Sequence, residues 1–462
     1  MILSKYCKIY PDTAGPGSVV LFSTKKASKI AIPESMLEDI REKILSEDER
    51  ETLFELGFLV NSADEEKKEI LGFMDELNAS DKVFAAQLVM NLDCNLACGY
   101  CFEGSRKGKF YMARETADKF VEFVKNAIVH PHPDPLPSRE REDIKDPQSY
   151  PSTGGRGLRG GGIEEIRVSF YGGEPLLSMD LILFVSNAIK SFAFEKGIKY
   201  TGRLVTNATL LTPQSVAKLR HAGIKAASIT LDGPESVHDV SRPFRGGTGS
   251  FRTIMKNLKE AGDILDLELG GNFTKRNYHR FPELLDYLIA EGLTPEKVFS
   301  MQFYPVIQEA EGIVNHDFGD GCSSVNEPWI FEAELFLREE IMKRGYRTSR
   351  IIPSICFIEL RNKIIVNYDG AMYKCSGLIG RKEFCAGDLQ SGIKDYRLSH
   401  KLDNWKNEEC LDCAYLPLCF GGCKYMKLLR DGNMNGVDCK KPYLDATLEA
   451  AVRQDIRYKA GT

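Results

Sequence analysis

Between residues 83 and 305, short apolar runs of strand character alternate with amphipathic helices, and this constrains the fold more than any other feature of the chain. The strands read as AAQLVMNL, IRVSFYG, GRLVTN, KAASITLD, LDLELGGNF and KVFSMQFYP, with helices such as ETADKFVEFVKNAI and TPQSVAKLRHAG between them. Such repetition builds a parallel sheet of βα units. Six units are too few for the closed eight-stranded barrel, so the expected fold is α/β, an open, partial (β/α)6 barrel. Functional groups in that architecture belong at the C-terminal ends of the strands.

Smaller units flank the barrel. SVVLFST and ASKIAI read as a β-hairpin, followed by a helix from about Pro33 with Met36, Leu37, Ile40 and Ile44 on one face. A second helix is expected in DERETLFELG, ended by Gly57, and an acidic helix over 64–78. Residues 1–80 therefore read as a β-hairpin and helical domain, 81–325 as the barrel and 326–462 as a cysteine-rich domain. Residues 130–162, rich in Pro, Gly, Arg and Ser, read as a disordered insertion. His130 and His132 within it are read as solvated, not as metal ligands.

The 61 basic and 66 acidic residues leave a net charge of -5, which gives no reason to expect nucleic acid as a partner. The opening MILSKYCKIY has no apolar signal core, and no stretch reads as a membrane span, so the expected location is cytoplasmic with no membrane partner. In a reducing compartment, thirteen clustered cysteines read as metal ligands or catalysts, not crosslinks. Three stand at Cys94, Cys98 and Cys101; seven at Cys356, Cys375, Cys410, Cys413, Cys419, Cys423 and Cys439; Cys7, Cys322 and Cys385 stand apart.

MNLDCNLACGYCF places the first three at the end of the first barrel strand. Three thiolates suit either a [4Fe-4S] cluster with one open iron or a zinc site with a fourth ligand from elsewhere. The CxxxCxxC spacing with an aromatic before the third cysteine resembles the signature loop of the radical S-adenosylmethionine (SAM) enzymes. The resemblance implies that Cys94, Cys98 and Cys101 hold a cluster whose open iron binds the amino and carboxyl groups of SAM, and that Tyr100 contacts the adenine. SFYGGEPLL resembles the family's GGEP motif: Gly172 and Gly173 permit close backbone approach to the ligand, and Glu174, followed by Pro175, can accept from a cationic amino group. Thr206 and Asn207 in LVTNATLL are similar to family positions near the ribose. Thr230, Asp232 and Arg242 in ITLDGPESVHDVSRPFRG are polar candidates near SAM or substrate. No side chain is assigned as catalytic; His238 reads equally as an acid or base and as a helix-start or surface residue.

The C-terminal cysteines run CxxCxxxxxCxxxC through ECLDCAYLPLCFGGC, preceded by Cys356 and Cys375 and followed by Cys439. Two zinc ribbons are one reading. The whole pattern resembles the SPASM extension of peptide-modifying radical SAM enzymes. This implies two auxiliary [4Fe-4S] clusters, one on Cys410, Cys413, Cys419 and Cys439, the other on Cys356, Cys375 and Cys423, for three clusters in all. The stretch between Cys356 and Cys375 lacks a further cysteine found in sulfatase-maturing members, so Cys385, Cys322 or a substrate thiolate would complete that site.

The N-terminal unit resembles the element that binds leader peptides by strand addition in maturases of ribosomally made peptides. As a whole the chain resembles maturases of the geopeptide, sactipeptide and ranthipeptide kind. Implied are cleavage of SAM to a 5′-deoxyadenosyl radical, hydrogen abstraction from a precursor peptide, a crosslink in the form of a Cys thioether, and an electron donor such as flavodoxin or ferredoxin. The alternatives are formylglycine formation and a non-catalytic cluster-binding scaffold.

Overall fold

The computed structural model describes residues 1–11, 17–101, 103–129, 162–308 and 320–458. His130, His132 and all but the last residue of the expected insertion lie outside the described residues.

The N-terminal unit holds β1 (Ile2–Leu3), β2 (Cys7–Pro11), β3 (Ser18–Ser23), β4 (Lys29–Pro33), α1 (Glu34–Glu42), α2 (Glu47–Glu55), β5 (Leu59–Val60) and α3 (Ala63–Ser80). The expected hairpin is two strands of a three-stranded antiparallel sheet in the order β2-β3-β4, with β1 pairing β5 separately. The VVLF centre of β3 is continuously apolar because both faces of the strand are covered. Val19 and Leu21 pack with Leu37, Ile40 and Leu53, whereas Val20 and Phe22 pack with Tyr415, Leu444, Leu448 and Val452. Ser46 and Glu49 close α2 with a reciprocal capping box. Ile44, expected on the inward face of the first helix, is 63% exposed, because α1 ends at a left-handed cap on Lys43 with φ 63°.

The barrel follows with β6 (Val83–Val89), α4 (Arg114–Val129), β7 (Glu165–Tyr171), α5 (Met179–Glu195), β8 (Lys199–Thr206), α6 (Pro213–His221), β9 (Ile224–Thr230), α7 (Glu235–Ser241), α8 (Phe251–Ala261), β10 (Asp266–Phe273), α9 (Phe281–Ala290), β11 (Val298–Pro305) and α10 (Pro328–Lys343). All six expected strands form, and β6 to β11 lie side by side in chain order, each parallel to the next. Leu88, Val168, Phe170, Leu204, Ile229 and Leu269 build the core under the helices. Among the described residues, Pro175–Glu195 is long and apolar enough by composition to cross a membrane. Ile182, Val185, Ile189 and Phe192 of that segment are buried in the barrel core, so its apolar face already has a partner.

The cysteine-rich part is joined to the barrel through the sheet. β12 (Lys363–Val366) pairs parallel with β6, and β13 (Ala371–Tyr373), β14 (Gly387–Asp388) and β15 (Gly392–Ile393) continue antiparallel, giving ten strands. KIIV, apolar after its lysine, covers the edge that an open barrel would otherwise leave at β6. Four short or terminal helices follow: α11 (Glu408–Leu411), α12 (Leu416–Cys419), α13 (Lys424–Asp431) and α14 (Lys441–Arg457). Asp455 on α14 forms an ion pair with Arg338 of α10 and, at 3.0 Å, with Lys29 of β4, so the last helix ties the barrel to the N-terminal sheet.

Candidate functional site

A cavity of about 530 Å³ opens at the C-terminal ends of the barrel strands. One wall carries Cys94, Cys98 and Cys101 from the loop after β6; Cys375 and Cys423 stand on the wall contributed by the cysteine-rich part. Gly172, Gly173, Thr206, Asn207, Thr230, Tyr100 and Arg242 add to the lining, so these expected residues come together although up to 142 positions separate them.

The cysteine loop is held by groups that favour charge on sulfur. Burial pushes the Cys94 thiol up to about 11, and burial likewise raises Cys98. Acting against this, the Leu96 amide lies 3.4 Å and the Asn207 amide nitrogen 3.7 Å from the Cys94 sulfur. Lys107 donates to Cys101; its own burial works against its charge, but the three thiols of the loop outweigh that and raise its pKa. Among the described residues no three Cys, His, Asp or Glu side chains converge tightly enough to hold a single ion. An all-thiol set with two flanking cations and open space beside it suits a polynuclear iron–sulfur cluster.

Gly172 and Gly173 line the cavity, and their backbones are also held against the loop behind it. A Cβ on Gly173 would stand 2.1 Å from the Asp93 carbonyl oxygen, and one on Gly172, whose φ is +148°, 2.4 Å from that of Asn91. The close approach they permit is to the cysteine loop itself, through Gly173 N–H to Asn91 O at 3.0 Å and Glu174 N–H to Asp93 O at 2.7 Å. Glu174 departs from the expected role. Fully buried, its carboxylate accepts from Thr206 Oγ1 at 2.7 Å, Asn207 N–H at 2.8 Å and Leu176 N–H at 3.0 Å. Neither Glu174 nor Pro175 is part of the cavity wall; together they lock the end of β7 to the end of β8.

Tyr100 is fixed by three elements. Its hydroxyl donates to the buried Asp232 carboxylate and accepts from Arg242 at 2.7 Å and from Asn272 at 3.0 Å. Asp232 thus acts behind the wall, and Arg242 keeps one buried nitrogen, Nε, without a hydrogen-bond partner among the described residues. His238 is neither at the surface nor at the cavity. It is fully buried on α7, accepts from the Asp232 amide at 3.2 Å, meets Ser250 at 3.1 Å, and burial, then Arg242, lower it to about 3. It is a neutral brace, which corrects both readings made from the sequence.

The remaining cysteines separate into two groups. Cys356, Cys375 and Cys423 lie within electrostatic reach of one another, and burial pushes Cys375 up to about 12. Cys410 feels Cys439 and Cys413, and Cys419 feels Cys410 and Cys413. Cys385 packs in the same hydrophobic cluster as the first group, and its thiol points to Gly387 O at 3.2 Å. Cys322 lies in the barrel core, where burial pushes it up to about 12, with Glu327 and Glu334 as its charged neighbours. Sequence reasoning missed Glu103, Lys107, Tyr171, Asn272, Tyr304 and Tyr425 on the cavity wall. Tyr171, Asn272 and Tyr304 carried a signal, their place at the C-terminal ends of barrel strands.

Residues 156–288 match the model of the Radical SAM superfamily. The PqqA peptide cyclase of Rhodopseudomonas palustris is 30% identical over 287 residues, covering 59% of this chain and 73% of that protein. Native anSMEcpe with AdoMet and a peptide bound superposes with a TM-score of 0.59 at 17% identity, covering 82% of this chain and 98% of that one. Streptococcus suis SuiB bound to precursor peptide SuiA superposes with a TM-score of 0.52 at 15% identity, covering 95% and 98%.

Proposed function

The chain belongs to the radical SAM superfamily, and from that premise we propose that it is a maturase of a ribosomally made peptide that closes a Cys thioether crosslink. The observation that carries this reading is the single cavity bounded by Cys94, Cys98 and Cys101 on one side and by Cys375 and Cys423 on the other. A peptide held there lies between the two cysteine sets.

When bound, SAM and a [4Fe-4S] cluster on the first triplet supply a hydrogen-abstracting 5′-deoxyadenosyl radical, and auxiliary clusters supply an electron acceptor. The protein positions and shields. Tyr100, braced by Asp232, Arg242 and Asn272, fixes one face of the SAM pocket, and Asn207 and Lys107 stabilise charge on the Cys94 and Cys101 sulfurs. Tyr171, Tyr304 and Tyr425 exclude water around the target carbon. Cys356, Cys375 and Cys423 would hold the nearer auxiliary cluster, where a substrate thiolate would serve as the remaining ligand; Cys410, Cys413, Cys419 and Cys439 would hold the farther one. A small donor such as flavodoxin or ferredoxin supplies the priming electron. The leader adds a strand to the N-terminal sheet, whose edges are β2 and β4.

The test is co-expression with a Cys-containing precursor peptide followed by mass spectrometry. A product lighter by a pair of hydrogens that no longer reacts with a thiol alkylator is the expected result. An unmodified peptide beside active SAM cleavage overturns the crosslinking assignment, and an aldehyde in the product replaces it with formylglycine chemistry.

A further inference from the structure

Two buried hydrogen-bond donors away from the cavity have no partner among the described residues, the Tyr6 hydroxyl and the Trp405 indole nitrogen. Both side chains are 0% exposed. Both belong to one small hydrophobic cluster with Ile70, Met74, Leu416 and Phe420, and Cys410 packs against it. Leaving a buried donor unsatisfied costs about 1–3 kcal/mol. Two in the same cluster mark a place where an acceptor belongs.

The neighbours say which acceptor. Cys410 packs here, and it lies within electrostatic reach of Cys413 and Cys439, as Cys419 does of Cys410 and Cys413. Tyr6 packs in the cluster that Cys410 joins, together with Leu411 of the same loop. Trp405 meets Phe420 edge-on at 5.1 Å between ring centres, and Phe420 directly follows Cys419. The N-terminal segment is fastened to the same loop. Lys5 donates to Leu411 O, Thr24 Oγ1 to Ala414 O at 2.7 Å, and Lys8 to the Tyr415 hydroxyl at 3.0 Å. Thr24 also bonds the Tyr6 carbonyl, through its amide at 2.9 Å and its hydroxyl at 3.1 Å, so Tyr6 is held against the cysteine loop from both sides.

We propose that Tyr6 and Trp405 donate hydrogen bonds to sulfur atoms of the iron–sulfur cluster held by Cys410, Cys413, Cys419 and Cys439, and thereby raise its reduction potential. This rests on the reading of those four cysteines as ligands. Thiolate and sulfide sulfurs accept such bonds, and each bond withdraws negative charge from the cluster, favouring its reduced form. The N-terminal unit then has a second task besides leader recognition. Through Tyr6 it forms part of the cluster's surroundings, and its docking on residues 411–415 sets the potential at which that cluster works.

The experiment uses the full chain, reconstituted anaerobically as wild type, Tyr6→Phe, Trp405→Phe and Cys410→Ala, with iron analysis and redox titration followed by electron paramagnetic resonance. Tyr6→Phe keeps the ring and removes only the donor. Expected are wild-type iron content in both donor variants and a more negative midpoint potential for one cluster, with the SAM-binding cluster unmoved. Full iron content with unchanged potentials in Tyr6→Phe and Trp405→Phe overturns the inference, since a buried water would then satisfy both donors. Wild-type iron content in Cys410→Ala overturns the ligand reading beneath it, an outcome separate from the first.

Discussion

Gly173 lies so close to Asp93 that a β-carbon on it would stand 2.1 Å from the Asp93 carbonyl oxygen. The end of β7 and the cysteine loop therefore share one rigid backbone junction. Gly173→Ala must push the two apart, at a cost of about 1–3 kcal/mol, typical of overpacking. Thermal unfolding should show the loss, together with incomplete iron loading of the first cysteine set. Gly246→Ala, with nothing within 4 Å, is the control and should behave as wild type.

Glu174 accepts from Thr206, Asn207 and Leu176 with no exposure to solvent. Glu174→Ala leaves those donors unsatisfied and should cost about 1–3 kcal/mol each where water cannot enter. SAM binding, measured by equilibrium dialysis on the reconstituted protein, should weaken because Thr206 and Asn207 lose their anchor. Unaltered affinity would show that β8 positions them unaided.

The two walls of the cavity should separate in function. Cys98→Ala is expected to abolish both 5′-deoxyadenosine formation and peptide modification. Cys375→Ala or Cys423→Ala should keep SAM cleavage and lose peptide modification by at least about tenfold, the scale of damage to a metal site. Chromatographic assay of both products checks this. Equal loss of the two activities in Cys375→Ala would count against a role specific to the second wall.

His238 contributes a defined pH dependence. Its folded-state pKa is about 3 against 6.5 for the free side chain, so the unfolded chain binds more protons between these values. The contribution is complete above about pH 6.5 and is lost as pH falls towards about 3, with a slope of up to about 1.4 kcal/mol per pH unit. Urea unfolding across this window should give a flatter profile for His238→Gln than for wild type.

Tyr100→Phe removes the hydroxyl shared by Asp232, Arg242 and Asn272. The buried Arg242 and Asp232 lose their common partner, and the aromatic ring loses its fixed orientation. A rise in the dissociation constant for SAM of roughly tenfold, about 1.4 kcal/mol, is expected. Retention of full affinity would assign Tyr100 a packing role only.

By itself the sequence determined the six parallel strands, because a run such as IRVSFY, buried on alternate sides between helices, has no other stable arrangement. It also determined that Cys94, Cys98 and Cys101 stay together, as do Cys410, Cys413 and Cys419, through spacings of three to six residues; only the fold turns Cys423, four residues after Cys419, towards Cys356 and Cys375. What β12 does lay beyond it: a lysine and three apolar residues, KIIV, carry no instruction to pair with β6 some 280 positions earlier. Nor could Glu174 declare that it faces inward, because a carboxylate after two glycines reads as a ligand group until the amides of β8 are seen to surround it. Tyr6 and Trp405 were silent for the same reason. A donor in a sequence is ordinary, and it becomes informative only when the fold buries it in the cluster that Cys410 joins, with no partner among the described residues.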